Sequence, residues 1–106
     1  MATLKEGMVI LRDLGLRYEL AIDVGRMANL LALSGDLGRA AQLLASSEAL
    51  TEGLGAKTPW WAAKRNDQTL DLIRNDMGED ELSSALAHGR GLTLKEAVAL
   101  ALGETD

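Results

Sequence analysis

Few residues in this chain have the types and spacing that chemistry needs. Trp60 and Trp61 are adjacent and are its only tryptophans. Tryptophan is enriched at binding hot spots, which makes the pair a candidate partner-binding site. Neighbours on a helix point about 100° apart, so both rings cannot face one core. One ring is then expected against the fold and the other at a surface or interface. A second possibility is that both rings shield the Gly53–Pro59 segment. His88 is the only histidine, and there is no cysteine. A lone imidazole makes a poor metal site, and its place suits the end of a helix, where a cation is welcome. Asp76, Glu79, Asp80 and Glu81 cluster around Gly78. Their spacing is not that of a calcium loop, so a solvated helix terminus is expected there. Ser46 and Ser47 have no local base and no G-x-S-x-G setting, and Ser47 fits a helix crossing as a small residue. No acid, base and nucleophile converge and no cofactor fingerprint is present. The expectation is a protein that is not an enzyme, with no catalytic, cofactor or metal residues.

Charge narrows the partners. Eleven Lys and Arg stand against sixteen Asp and Glu, a formal net charge of −5. Lys5, Arg12, Arg17, Arg26 and Arg39 are scattered rather than striped, so a nucleic-acid face is not expected. The turn at Ser34–Leu37 resembles a helix-turn-helix turn. The segment after it offers only Arg39 as a cation near its start, with Glu48 and Glu52 beyond. No run approaches the roughly 20 apolar residues of a membrane span. The start, Met1-Ala2-Thr3-Leu4-Lys5-Glu6, has no basic segment followed by an apolar one, so no secretory signal is expected and the cytoplasm is the default.

The elements that position these residues follow from composition and punctuation. The 106 residues fit one domain, 47% hydrophobic and 25% charged. Aromatic residues make up only 3%, and Phe is absent. Leu and Ala dominate the apolar content and favour helix, so an all-α fold is expected. Thr3 and Glu6 have capping-box spacing ahead of a helix carrying Leu4, Met8, Leu11 and Leu14, stopped by Gly15. A second helix, from about Leu16 to Leu33, repeats apolar residues at Leu20, Val24, Met27, Ala28 and Leu31. Gly35 suits a left-handed stop, and the Asp36 carboxylate a cap for the third helix, from about Leu37 to Gly53. That helix should bury Leu37, Ala40, Ala41, Leu44, Ser47 and Leu54, with Leu43 and Leu50 beside them. Thr58 before Pro59 predicts a fourth helix from Pro59 to Met77, with Ala63, Leu70, Ile73 and Met77 inside and Gly78 ending it. A fifth runs from Glu79 to about Gly89 on Leu82, Ala85 and Leu86, and Gly89-Arg90-Gly91 forms a turn. Thr93 and Glu96 then open a sixth with Leu94, Ala97, Val98, Ala101 and Leu102. Six helices and no strand are expected.

The stretch from Val24 to Ser47 resembles a tetratricopeptide repeat. Met27-Ala28 and Leu31 occupy its first helix, Gly35-Asp36-Leu37 its turn, and Ala40, Leu44 and Ser47 its second helix. Small Ala28 and Ala40 would let the helices cross closely. Val24, Leu31 and Glu52 depart from the Trp, Tyr and Pro that the motif prefers. Over nearly its whole length the chain resembles the C-terminal repeat region of bacterial AfsR/LuxR-type regulator ATPases. Leu33 to Leu50, Leu54-Gly55-Ala56 with Pro59, and Gly89 to Leu102 carry that likeness. Trp60-Trp61 stands where that family has polar residues. The phosphate-binding loop and the recognition helix of such regulators are missing, which implies either a fragment of a longer protein or a stand-alone remnant.

The resemblance implies a single helical-repeat domain over residues 1–106. Residues 1–55 would form tetratricopeptide-like helices and residues 56–106 a three-helix C-terminal cap. Its function would be a non-catalytic protein-interaction or scaffold module, with a protein partner and no nucleic acid or membrane. An array end should leave an apolar face bare. The first two helices, through Leu4, Met8, Leu11 and Tyr18, are the expected surface for self-association into a homo-oligomer. The alternative is a small helical sensor that binds an apolar ligand between its helices, lined by Met8, Met27 and the two tryptophans.

Overall fold

Glycine and capping residues set the helix ends. The computed structural model describes residues 2–104. Among them it holds six α-helices and no strand: α1 (Ala2–Leu14), α2 (Arg17–Ser34), α3 (Leu37–Gly53), α4 (Trp60–Asp76), α5 (Glu79–Arg90) and α6 (Leu94–Leu102). The expected all-helical class and helix count hold. Gly35 closes α2 in the left-handed conformation at φ 92°, and its N–H and that of Asp36 bond back to Ala32 and Leu31. An L-residue there would be strained. Thr93 and Glu96 form the expected capping box on α6, at 2.9 and 3.1 Å.

Three expected caps are absent. α1 already includes Ala2, so Thr3 lies inside it. Alanine is the strongest helix former, and nothing at that position breaks the helix ahead of Thr3. Asp36 is the N-cap of α3, but its carboxylate meets Arg39 at 3.4 Å instead of the backbone. Pro59 stands at the N-cap of α4 rather than in its first turn, with an extended ψ of 149°.

Helix α3 lies at the centre. It packs against α2 on one side and α5 on another, and it also meets α4 and α6. Enclosure on several sides explains why Leu43, expected beside the inner face, is as buried as Leu44, and why Ala40 to Ser47 are hidden apart from half-buried Gln42. Adjacent serines serve the two largest packings. Ser47 Oγ donates to the Ala21 carbonyl of α2 at 2.7 Å. Ser46 Oγ donates to the Gly89 carbonyl of α5 at 2.7 Å. Each contact has a glycine, Gly89 against the α3 backbone and Gly25 against side chains. A Cβ on Gly25 would stand 2.8 Å from Ser47 Oγ, and one on Gly89 would stand 2.8 Å from the Gln42 Cα. Gly89 and Arg90 are therefore helical, not a turn: the missing side chain serves close packing rather than chain reversal.

The other helices fold onto this centre. α1 rests on α2 and α6, and Met8 is fully buried in the common core. Leu14, expected inside, is exposed, as is Leu54 at the end of α3. α4 is turned from its expected face. It buries Ala62, Asn66, Thr69 and Ile73, with Ala63, Leu70 and Met77 only part-covered. One of its inner polar groups, Thr69, meets Asn29 of α2, which periodicity of apolar residues alone does not register.

The Gly89 contact generates a test. Gly89→Ala should lower stability by about 1–3 kcal/mol, because the Gln42 backbone cannot move aside as a flexible side chain would. Urea denaturation measures this; an unchanged or raised midpoint would mean that α3 and α5 are not in close contact there.

Candidate functional site

Two surfaces and one polar seam hold the groups that could bind something. The first surface is a half-open groove of about 630 Å³. Its walls are the α1–α2 turn, the C-terminal part of α3 and the N-terminal part of α6. Leu20, Leu50, Leu54, Leu94 and Val98 make it apolar, while Arg12, Arg17 and Lys95 bring cations to it; none of its lining residues is acidic or aromatic. Arg12 is held by Glu104 at 3.2 Å and Asp13 at 3.8 Å. Among the described residues Arg17 and Lys95 take part in no ion pair. Glu96, close in sequence, turns its carboxylate to the Thr93 N–H. The Thr93 hydrogen bonds, backbone first, hold that carboxyl below its ordinary value.

The second surface is the start of α4. Trp60 is 77% exposed and Trp61 45% exposed. Neither ring is packed into the fold, so the expectation that one of them is does not hold. Pro59, with an extended ψ of 149°, stands just ahead of them. The Arg65 guanidinium lies 5.8 Å from the Trp61 ring centre, one helical turn on, and steadies that ring by a cation–π contact. Tyr18 is half-buried, with its hydroxyl 3.5 Å from the Lys57 carbonyl.

The polar seam lies between α2 and α4. Asn29 donates to Thr69 Oγ1 at 2.9 Å, and Thr69 donates to the Arg65 carbonyl at 2.9 Å. Arg65 donates to the Ile22 carbonyl at 3.3 Å and to Asn66 Oδ1 at 3.4 Å. Gly25 leaves the room in which this guanidinium sits. Asn66 is almost fully buried, and its Nδ2 has no protein partner. Burial pushes the Asp23 carboxyl above its ordinary 3.8, against the pull of Arg26 and Arg65. Burial, then the neighbouring Arg26 charge, draws Arg65 down. The arrangement satisfies carbonyls and fixes α4 on α2; no nucleophile is set beside a base.

The remaining sequence candidates fall elsewhere. Of the four residues expected to drive self-association, Met8 is fully buried and Leu4 and Leu11 are packed on the core. The face they form is covered by α2 and α6, so it is not the bare face of an array end. Ile10, Leu14 and Leu16 are the apolar residues exposed there instead. Met27 is also fully buried, and neither methionine nor either tryptophan lines the groove, so the expected sensor lining is not formed. His88 is exposed in the last turn of α5, and Glu79, Asp80 and Glu81 form its first turn. Among the described residues no three His, Asp or Glu side chains gather as a metal site. No described helix is long and apolar enough to cross a membrane. The groove itself went unpredicted, because its walls come from segments far apart in sequence; only the exposed cations Arg12, Arg17 and Lys95 gave a local signal. No protein-family model, curated protein or solved structure matches the chain.

The half-buried Asp23 sets a pH dependence. A folded-state pKa above the unfolded one means that the group's contribution to stability is full below the unfolded value and is lost as pH rises through the folded value. As pH rises from about 3.5 toward neutral, wild-type stability should therefore fall relative to Asp23→Asn. Urea midpoints of both proteins across that range measure the gap. A gap that stays constant or moves the other way contradicts the burial account.

Proposed function

We propose that the chain is a non-catalytic protein-interaction module of the cytoplasm, built as a tetratricopeptide-like hairpin with a three-helix C-terminal cap. The hairpin is α2 and α3, joined at Gly35-Asp36, with Ala28 and Ala40 fully buried. This supports the likeness to the repeat regions of bacterial AfsR/LuxR-type regulators, in which such an element presents a face to other protein domains. Its action is scaffolding, and no cofactor enters it.

One observation carries this proposal. Large apolar side chains are left in water on α1 and in the turn that follows it, although the chain has a well-filled core. Ile10 is 58% exposed, Leu14 66% and Leu16 41%. Neighbouring apolar residues left bare in this way mark association surfaces. A second copy of the chain is the first partner to expect, through Ile10, Leu14 and Leu16 rather than through the covered Leu4 and Leu11. Trp60 and Trp61, on α4, form a second face with the residue type most enriched at hot spots, suited to another protein. The net charge of −5 argues against nucleic acid as the partner.

Sedimentation velocity at tens of micromolar protein tests the proposal. A dimer or higher oligomer is expected, and Ile10→Ser with Leu14→Ser should return it to monomer. A wild-type monomer throughout that range, or an oligomer indifferent to the double substitution, contradicts association through this surface.

A further inference from the structure

The groove between the α1–α2 turn, α3 and α6 has a chemistry that the protein–protein proposal does not use. The chain as a whole is acidic, yet the groove's lining holds Arg12, Arg17 and Lys95 and no carboxylate. Arg17 and Lys95 are exposed and outside every ion pair among the described residues. The N-terminus of α2 opens beside them. Its N-cap, Leu16, has no side-chain oxygen to accept the first-turn N–H groups, and the acid of that turn, Glu19, is not among the groove's lining residues. Below the cations, Leu20, Leu50, Leu54, Leu94 and Val98 offer aliphatic surface with no aromatic ring among them. A volume of about 630 Å³ lies within the range of small-molecule sites.

We propose that this groove binds a single-chain anionic amphiphile, a carboxylate carried on an unbranched acyl chain. The carboxylate lies against Arg17 and Lys95 at the mouth. The acyl chain lies along the leucines and Val98, and each methylene removed from water adds to affinity. Charge complementarity selects the headgroup, because a cationic head of the same chain length would face the unpaired charges of Arg17 and Lys95. The aliphatic lining suits a flexible chain rather than a stacked ring. A monomer can carry this site, although its wall at the α1–α2 turn adjoins Leu14 and Leu16 of the self-association surface.

The test uses the full chain, isotopically labelled, titrated with laurate below its micelle concentration and followed by amide NMR. Saturable shifts centred on Arg17–Leu20, Ala49–Leu54 and Thr93–Val98 are expected. Dodecyltrimethylammonium, with the same chain and the opposite head, should bind at least about tenfold more weakly. Arg17→Glu with Lys95→Glu, both exposed positions that should not disturb folding, should weaken laurate at least about tenfold and abolish that preference. Equal binding of both heads, shifts centred elsewhere, or an unchanged laurate affinity in the double variant overturns the proposal. Groove amides that ignore laurate but shift as protein concentration rises would assign the groove to a second copy, and also overturn it.

Discussion

Two serine hydroxyls at consecutive positions of α3 organise the fold. Ser46 and Ser47 point in directions about 100° apart, so one reaches α5 and the other α2. Each ends on a backbone carbonyl, and a carbonyl can be reached at 2.7 Å only if the backbones come close. Gly89 permits that approach at α5, and Gly25 leaves room at α2 for the Ser47 hydroxyl and the Arg65 guanidinium. The other placements follow from it. With α2 and α5 on its two sides, α3 has little surface left for water between Ala40 and Ser47. α1 and α6 then close over one end of α2, and α4 lies along it through Asn29, Arg65 and Thr69.

Much of the architecture was legible in the sequence, because its punctuation is strong. Gly35, Gly78 and the Thr93–Glu96 pair mark boundaries by mechanisms confined to a few residues, and those boundaries lie within a residue or two of the observed helix ends. What was not legible is tertiary. Gly89 looks like a turn residue until the Gln42 backbone is seen against it. Asn66 and Thr69 look like surface residues of α4, yet they are almost fully buried, since their partners lie some forty residues away on α2 or within α4 itself. Leu43 could not be assigned inward by a single-face pattern, because α3 has more than one inward face.

The binding surfaces divide in the same way. The tryptophans stood out by type alone, and they do lie at the surface, although neither is anchored as expected. The methionines stood out too, but an unbranched side chain on an inner helix face fills core, and Met8 and Met27 do so. The groove has no sequence signature of its own. Its leucines belong to three helices, and its freedom from carboxylates emerges only when those helices are brought together.

If the serine–glycine contacts hold the centre, protection should be graded outward from α3. α4 fully buries a single large aliphatic residue, Ile73, and otherwise relies on small and polar side chains. Native-state amide hydrogen exchange measures this most directly. The expected result is that amides from Ala40 to Ser47 of α3 exchange only through global unfolding, while those of α4 exchange through a smaller opening of lower free energy. Protection in α4 equal to that in α3, or exchange in α3 ahead of global unfolding, would contradict the account.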